Sequence, residues 1–210
     1  MSYLRFIDAL ELRQLLSASA ATLSADLSDA LSEIKAVRGI LTAAKSAELA
    51  DRKTFLADLR PASDRANAKL VAQLERDDAR AWVKTLSVDI AMLLKGSPLC
   101  RRATADGILL LKRPKSSALN TRVSTESSAL AGQIAPLLSD MQNQFIAASQ
   151  THDADLNAIV SANPSIPALS GDLQSTENHL GGASGELGGT AVLAQSQVGT
   201  LATDLATTVG

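Results

Sequence analysis

The sequence predicts a mainly α-helical protein: an elongated helical hairpin or coiled coil, with a small β-hairpin at the tip and a low-complexity helical tail. Alanine and leucine, both good helix formers, supply most of the apolar content, whereas aromatic residues make up only 2% of the chain. Apolar residues also recur at steps of three and four, which places them on one stripe of a helix. We therefore expect packed helices around a thin core.

The first helical arm is predicted over residues 1–95, with a kink near Pro61, because proline lacks an amide donor and clashes with the preceding turn. Before Pro61, a heptad pattern predicts a seam that packs against a neighbouring helix. After Pro61, a second apolar stripe continues to Lys95. The seam residues that we expect to pack between helices of an oligomer are Leu16, Leu23, Leu27, Ile34 and Leu41.

A β-hairpin is predicted over residues 96–116. Gly96-Ser97-Pro98 has the form of a helix end, since a glycine cap is followed by a proline that cannot continue the helix. The pair Asp106-Gly107 lies between two short runs, a pattern typical of a tight hairpin turn. This hairpin would form the tip between two helical arms.

The second half of the chain predicts a returning helix over residues 117–160 and a tail over residues 161–210, rich in Gly, Ala, Ser and Thr. Leucines recur at seven-residue steps in the tail, but each glycine weakens an isolated helix by about 1 kcal/mol. We therefore expect the tail to become ordered only by packing on a partner or on copies of itself. Gly181, Gly185 and Gly189 share one helix face and allow close packing there; the alternative is a glycine-rich hinge between two short helices.

The charges are segregated along the chain: all 20 lysines and arginines lie at or before Arg122, and the tail carries acidic residues only. Such segregation indicates binding partners more than fold. The open alternatives for the basic tip are nucleic acid, an anionic membrane surface, the acidic tail of a neighbouring copy, or solubility alone. The residues predicted to bind an anionic partner are Arg101, Arg102, Lys112, Arg113 and Lys115.

No motif in the sequence indicates a catalytic, cofactor or metal site. His152 lies on the apolar stripe between Ala148 and Leu156, which predicts a residue at the edge of the core or on the surface, and His179 is far from it in sequence. Cys100 has no second cysteine, although the adjacent arginines could lower its pKa. Phosphate-binding glycine loops are absent, and so few aromatics supply poor pockets. We therefore expect no enzyme activity, no cofactor and no small-molecule substrate.

These observations predict a structural or assembly protein, a subunit of a larger particle such as a phage virion or tail or a secretion-type filament, built by helix packing. The alternative is a binding module that uses its basic tip on nucleic acid or an anionic membrane. Neither a signal-type apolar segment nor a spanning segment of about 18 apolar residues is seen. We expect a chain made in the cytoplasm that joins copies of itself or other subunits, in a virion or an exported assembly.

Overall fold

The computed structural model describes the backbone of residues 2–209 and the side chains of residues 19–82, 84 and 86–209. Within these residues the chain is helical apart from short connections and contains no strand, which confirms the mainly α-helical prediction. The α-helices are α1 (Ser2–Leu59), α2 (Arg65–Asp78), α3 (Ser87–Lys112), α4 (Ser117–Ala129), α5 (Ala135–Ala162) and α6 (Ala168–Val209). A 3₁₀ turn, Arg60–Ala62, follows α1, and two π-helical stretches join α2 to α3 (Ala79–Leu86) and α4 to α5 (Leu130–Ile134).

The helix ends follow local chemistry. Helix α1 stops just before Pro61, as predicted, because proline cannot donate to the preceding turn. Helix α2 starts after Asp64, whose carboxylate accepts a hydrogen bond of 2.7 Å from the backbone N–H of Asn67. The hydroxyl of Ser116 caps α4 by accepting from the backbone N–H of Leu119 at 3.4 Å. The proline-containing segment 163–167 ends α5 and separates it from α6.

The predicted β-hairpin over residues 96–116 is wrong. Helix α3 runs through Gly96, Pro98 and the Asp106-Gly107 pair and ends only at Lys112. The reason is a second periodicity in the same residues, which places a continuous stripe at helical spacing. The stripe is buried and consists of Cys100, Ala103, Thr104, Gly107 and Leu110. Gly107 is thus a close-packing residue instead of a turn residue: a Cβ added there would lie 2.6 Å from Cδ2 of Leu205.

The tail forms one helix, α6, and its seven-residue pattern is its buried face. Leu173, Leu180, Leu187, Ala194 and Leu201 are all buried. The tail therefore packs on this chain's own helices, and the hinge alternative is wrong. Burial of this stripe offsets the low helix propensity of the tail glycines.

The chain divides into two compact units. Unit 1 comprises residues 1–35, 93–138 and 193–210, and unit 2 comprises residues 36–92 and 139–192. In unit 1, the close approach of α3 at Gly107 to Leu23 and Leu205 joins segments of α1, α3 and α6. Gly96 similarly faces Ile134, since a Cβ there would lie 3.3 Å from Cδ1 of that side chain.

Unit 2 has its core near the end of α1. Phe55, Leu59, Leu74, Leu156, Ile159, Leu169 and Leu173 form one buried cluster drawn from α1, α2, α5 and α6. Asn67 and Asn163, also in unit 2, exchange two side-chain hydrogen bonds of 2.9 and 2.8 Å. Trp82, in the π-helical stretch, packs edge-on against Phe145 with ring centroids 5.4 Å apart.

The two π-helical stretches lie where the apolar spacing departs from that of an α-helix. Leu74, Asp78, Trp82 and Leu86 are buried at steps of four, and each such step drifts by about 40° in an α-helix. A locally wider turn keeps them facing one side. The second stretch ends two residues before Pro136, which lies in the first turn of α5. Among the described residues, no helix combines the length and apolar character needed to cross a bilayer.

Candidate functional site

Among the described residues, a buried polar cluster of ionisable side chains in unit 2 is the best candidate for a functional site. We define it as Glu48, Arg52, Asp78 and His152. Glu48 and Arg52 lie one turn apart on α1, Asp78 is the last residue of α2, and His152 lies on α5. Glu48, Asp78 and His152 are all buried, with His152 only 1% exposed, whereas the Arg52 side chain is one quarter exposed.

The contacts within the cluster centre on Asp78. Its Oδ1 lies 2.8 Å from Nδ1 of His152, and its Oδ2 accepts a hydrogen bond of 2.9 Å from Nη1 of Arg52. Glu48 stands close to both partners: its Oε1 is 3.7 Å from Nε of Arg52 and 4.0 Å from Nδ1 of His152. Neither Oε1 of Glu48 nor Nε2 of His152 has a hydrogen-bond partner among the described residues.

The surroundings of Glu48 within the cluster change the pKa of its carboxyl group. Burial is the main cause that raises its pKa above the ordinary value of 4.5, and the Asp78 carboxylate adds to the rise, whereas His152 and Arg52 oppose it. A buried carboxyl beside a second carboxylate holds a proton more tightly, or else requires a cation close by. The cluster can therefore store a proton or bind a positive ion.

From the sequence we predict no such cluster and expect His152 at the edge of the core or on the surface. The structure instead buries Asp78 and His152. A signal was present, because Glu48, Asp78 and His152 each occupy a position on the apolar stripe of their own helix. Glu48 follows Leu41 by seven residues, Asp78 follows Leu74 by four, and His152 follows Ala148 by four.

The predicted anionic-partner residues no longer share a hairpin, but all of them belong to unit 1 and are exposed. Arg101 and Arg102 lie on α3, Lys112 ends α3, and Arg113 and Lys115 lie in the connection to α4. Arg102 forms an ion pair with Glu126 on α4. The remaining residues form no ion pair within the described part of the chain, and they leave positive charge facing solvent.

Most residues predicted for oligomer packing on α1 are buried within the single chain. Leu23, Ile34 and Leu41 are at most 3% exposed, and Leu27 is half-buried. The side chain of Leu16 lies outside the described residues. Because the chain's own helices cover this seam, a role for it between copies stays a prediction.

The predicted tail glycines lie on a solvent-facing side of α6. We define the outer face of α6 as the exposed residues that span an arc of about 100° in its unit 2 part; they are Gly171, Gln174, Asn178, Gly181, Gly182, Gly185, Gly189 and Val192. No charged residue belongs to this face. A Cβ added at Gly181, Gly185 or Gly189 would have no neighbour within 4 Å, so these glycines do not serve the chain's own packing.

A shallow groove runs beside the outer face, between α6 and α1. Small or apolar residues line much of it: Ile40, Ala43, Ala44, Ala47, Gly182 and Ala183. Asn178, His179 and Glu186 line the rest, so the groove is apolar only in part. The small side chains leave room for a knob from another helix.

The remaining candidate residues carry little reactivity. Burial raises the pKa of the Cys100 thiol to about 11, so the expectation that Arg101 and Arg102 lower it is wrong, and the thiol stays protonated at neutral pH. His179 is exposed, and its Nδ1 lies 2.6 Å from Oδ2 of Asp51.

In comparisons with protein-family models, curated proteins and solved structures, nothing matches this chain.

Proposed function

We propose that this chain is a non-enzymatic structural protein that assembles with copies of itself through the outer face of α6. It would serve as a repeated subunit of a larger particle, such as a phage virion or tail or a secretion-type filament. The observation that carries the proposal is the outer face itself, which is exposed, uncharged and rich in glycine.

The free energy of the helix supports this proposal. Each glycine in a helix interior is about 1 kcal/mol less favourable than alanine, so Gly181, Gly182, Gly185 and Gly189 together cost about 3–4 kcal/mol. The buried stripe on the other side of α6 offsets that cost, but the glycines themselves make no contact, because the space above each of them is open. A second helix packed on this face would gain contact area, since small side chains let two helix backbones approach closely.

A second copy is the partner that fits this face best. In a two-fold interface the same patch faces itself, and an uncharged patch avoids the like-charge repulsion that a charged one would meet. Val192 is 62% exposed and offers an apolar knob at one end of the face. The groove lined by Ile40, Ala43 and Ala47 offers a matching hole on the other copy.

The test is the mass of the chain in solution as its concentration changes. The double variant Gly185→Lys, Val192→Lys places two charges on the outer face. Both positions are exposed in the single chain, so we expect the fold to be retained. A packed interface would bury the two charges and should not form. Gly39→Lys is the matched control, because Gly39 is an exposed glycine on α1 with open space around it. Analytical ultracentrifugation should show oligomers for the wild type and the control, and monomers for the double variant. Equal assembly of all three proteins would refute this interface.

A second candidate function is binding of an anionic surface by the basic end of α3. Lys112, Arg113 and Lys115 are exposed and form no ion pair within the described residues, and Arg101 lies about three turns back on the same face of α3. Such charges bind phosphate groups, with a strong dependence on salt concentration. Nucleic acid and anionic lipid both present these phosphates.

The triple variant Lys112→Glu, Arg113→Glu, Lys115→Glu tests this second function. Its control is Lys53→Glu, Lys69→Glu, Lys84→Glu, which changes the net charge equally at exposed lysines elsewhere. Binding to a duplex DNA oligomer and to vesicles with anionic lipid should fall for the first variant only. Equal losses in both variants would mean that net charge alone attracts these partners, and would exclude a dedicated site.

A further inference from the structure

The buried polar cluster of unit 2 brings together three atoms of the kinds that bind metal ions. They are Oε1 of Glu48, Oδ1 of Asp78 and Nδ1 of His152, and ligand atoms of the three residues all lie within 4.8 Å of one another. The three side chains come from α1, α2 and α5, so the fold brings them together from distant parts of the sequence.

The separations between these atoms suit a bound ion. Metal–nitrogen and metal–oxygen bonds of about 2.0–2.2 Å place neighbouring ligand atoms about 3.0–3.5 Å apart. The observed separations bracket that range, at 2.8 Å from His152 Nδ1 to Asp78 Oδ1 and 4.0 Å from His152 Nδ1 to Glu48 Oε1. A shift of about half an ångström would bring Oε1 of Glu48 within that range of Nδ1 of His152.

A second observation is that Oε1 of Glu48 lacks a hydrogen-bond donor among the described residues. Its Oε1 is buried, is aimed at the other two residues, and accepts no hydrogen bond within the described part of the chain. A buried carboxylate oxygen without a donor is costly, and a cation at this point would remove that cost. Arg52 fills the place only in part: its Nε lies 3.7 Å from Oε1 of Glu48, beyond hydrogen-bond distance, and its Nη1 is hydrogen-bonded to Oδ2 of Asp78.

We propose that Glu48, Asp78 and His152 bind a divalent first-row transition-metal ion of the Zn²⁺ class, with water completing its coordination. An imidazole ligand favours this class over Ca²⁺ and Mg²⁺, which prefer oxygen. Arg52 then acts as an outer partner that orients the Asp78 carboxylate. His152 would bind the ion through Nδ1 as the neutral ring, whose single proton then lies on Nε2, and any proton on Glu48 would leave to water, so binding tightens as pH rises.

The role of this site is to link three helices in the interior of unit 2. Because the ion would bind the folded chain and not the unfolded one, it raises the free energy of unfolding. This inference does not depend on assembly through α6, since the ligands are buried within one copy.

The experiment titrates the full-length, chelator-treated chain with Zn²⁺ by calorimetry and with Co²⁺ by visible absorption. We expect saturation at one ion per chain, protons released on binding, and a higher melting temperature with Zn²⁺. Glu48→Gln and His152→Gln should each weaken binding by about 100-fold or more, at or beyond the upper end of the losses typical for outer partners. His179→Gln is the matched control, because it removes the other histidine of the chain and leaves the cluster intact.

The outcomes separate the site from surface binding. No saturable binding by the wild type, or unchanged binding by Glu48→Gln, overturns the proposal. A loss in His179→Gln equal to that in His152→Gln also overturns it, because surface histidines would then account for the signal. Circular dichroism of each variant establishes its fold, and the nearly isosteric Glu48→Gln decides the matter if His152→Gln fails to fold.

Discussion

Replacing Pro98 with alanine should stabilise this protein. Pro98 is exposed and lies inside α3, twelve positions into a helix that runs from Ser87 to Lys112. A proline there donates no hydrogen bond to the carbonyl of Leu94 and crowds it, at a cost of about 3 kcal/mol relative to alanine. Because α3 has already adjusted to the ring, we expect Pro98→Ala to recover roughly 1–3 kcal/mol of the free energy of unfolding.

Urea unfolding followed by circular dichroism measures this gain as a higher midpoint with an unchanged slope. Pro61→Ala is the control, because Pro61 lies in the 3₁₀ turn after α1, where its missing amide costs little. There the freer unfolded chain should lower stability by about 0.4–1 kcal/mol. A Pro98→Ala variant no more stable than the wild type would contradict a continuous α3 and favour a helix end at Gly96-Ser97-Pro98.

Further predictions concern packing and pH, each measured by urea unfolding. Gly107→Ala should destabilise unit 1 by about 0–2 kcal/mol, because overpacking against Leu205 costs about 1–3 kcal/mol and the better helix former returns about 1; a gain in stability would contradict the close approach. Phe55→Ala should cost about 3–5 kcal/mol, since Phe55 is fully buried in the unit 2 core, and a loss below about 1 kcal/mol would contradict that core. Because the pKa of Glu48 is raised in the folded chain, the protonated form of Glu48 favours folding. This stabilisation is fully present below pH 4.5 and is lost as the pH rises through the folded-state pKa of Glu48. Metal-free Glu48→Gln should therefore show a flatter fall in stability above pH 4.5 than the wild type, and an unchanged profile would exclude Glu48 as its source.

The sequence is enough to predict the helical class, the break at Pro61, the end of the returning helix to within two residues, and the buried stripe of α6. Each follows from a local rule that the fold does not override. The region 96–116 shows where local rules fail: Pro98 and Gly107 together cost a helix about 4 kcal/mol. Burial of Cys100, Ala103 and Leu110 on one face opposes that cost, and a fully buried leucine alone contributes about 1.5–3 kcal/mol. Only the tertiary packing decides between the two structures.

The buried polar cluster could be predicted only in part. A charged residue at a core position of a heptad pattern is visible in the sequence for Glu48, and the same holds for Asp78 and His152 on their own stripes. The apolar stripe of one helix does not specify which helices pack against it, or at what level along their axes they meet. The convergence of three such residues on one point therefore required the structure.

Cysteine cross-linking tests assembly through the outer face of α6 most directly. The native Cys100 is buried, so cysteines placed singly at Gly181, Gly185, Gly189 and, as the control, Gly39 are the exposed thiols of each variant. Under mild oxidation we predict rapid formation of covalent dimers at one or more of the α6 positions, because close helix contact brings two copies within disulfide reach. Dimers from Gly39→Cys should form no faster than chance collision allows. Dimer formation at Gly39 as fast as at every α6 position would contradict the interface.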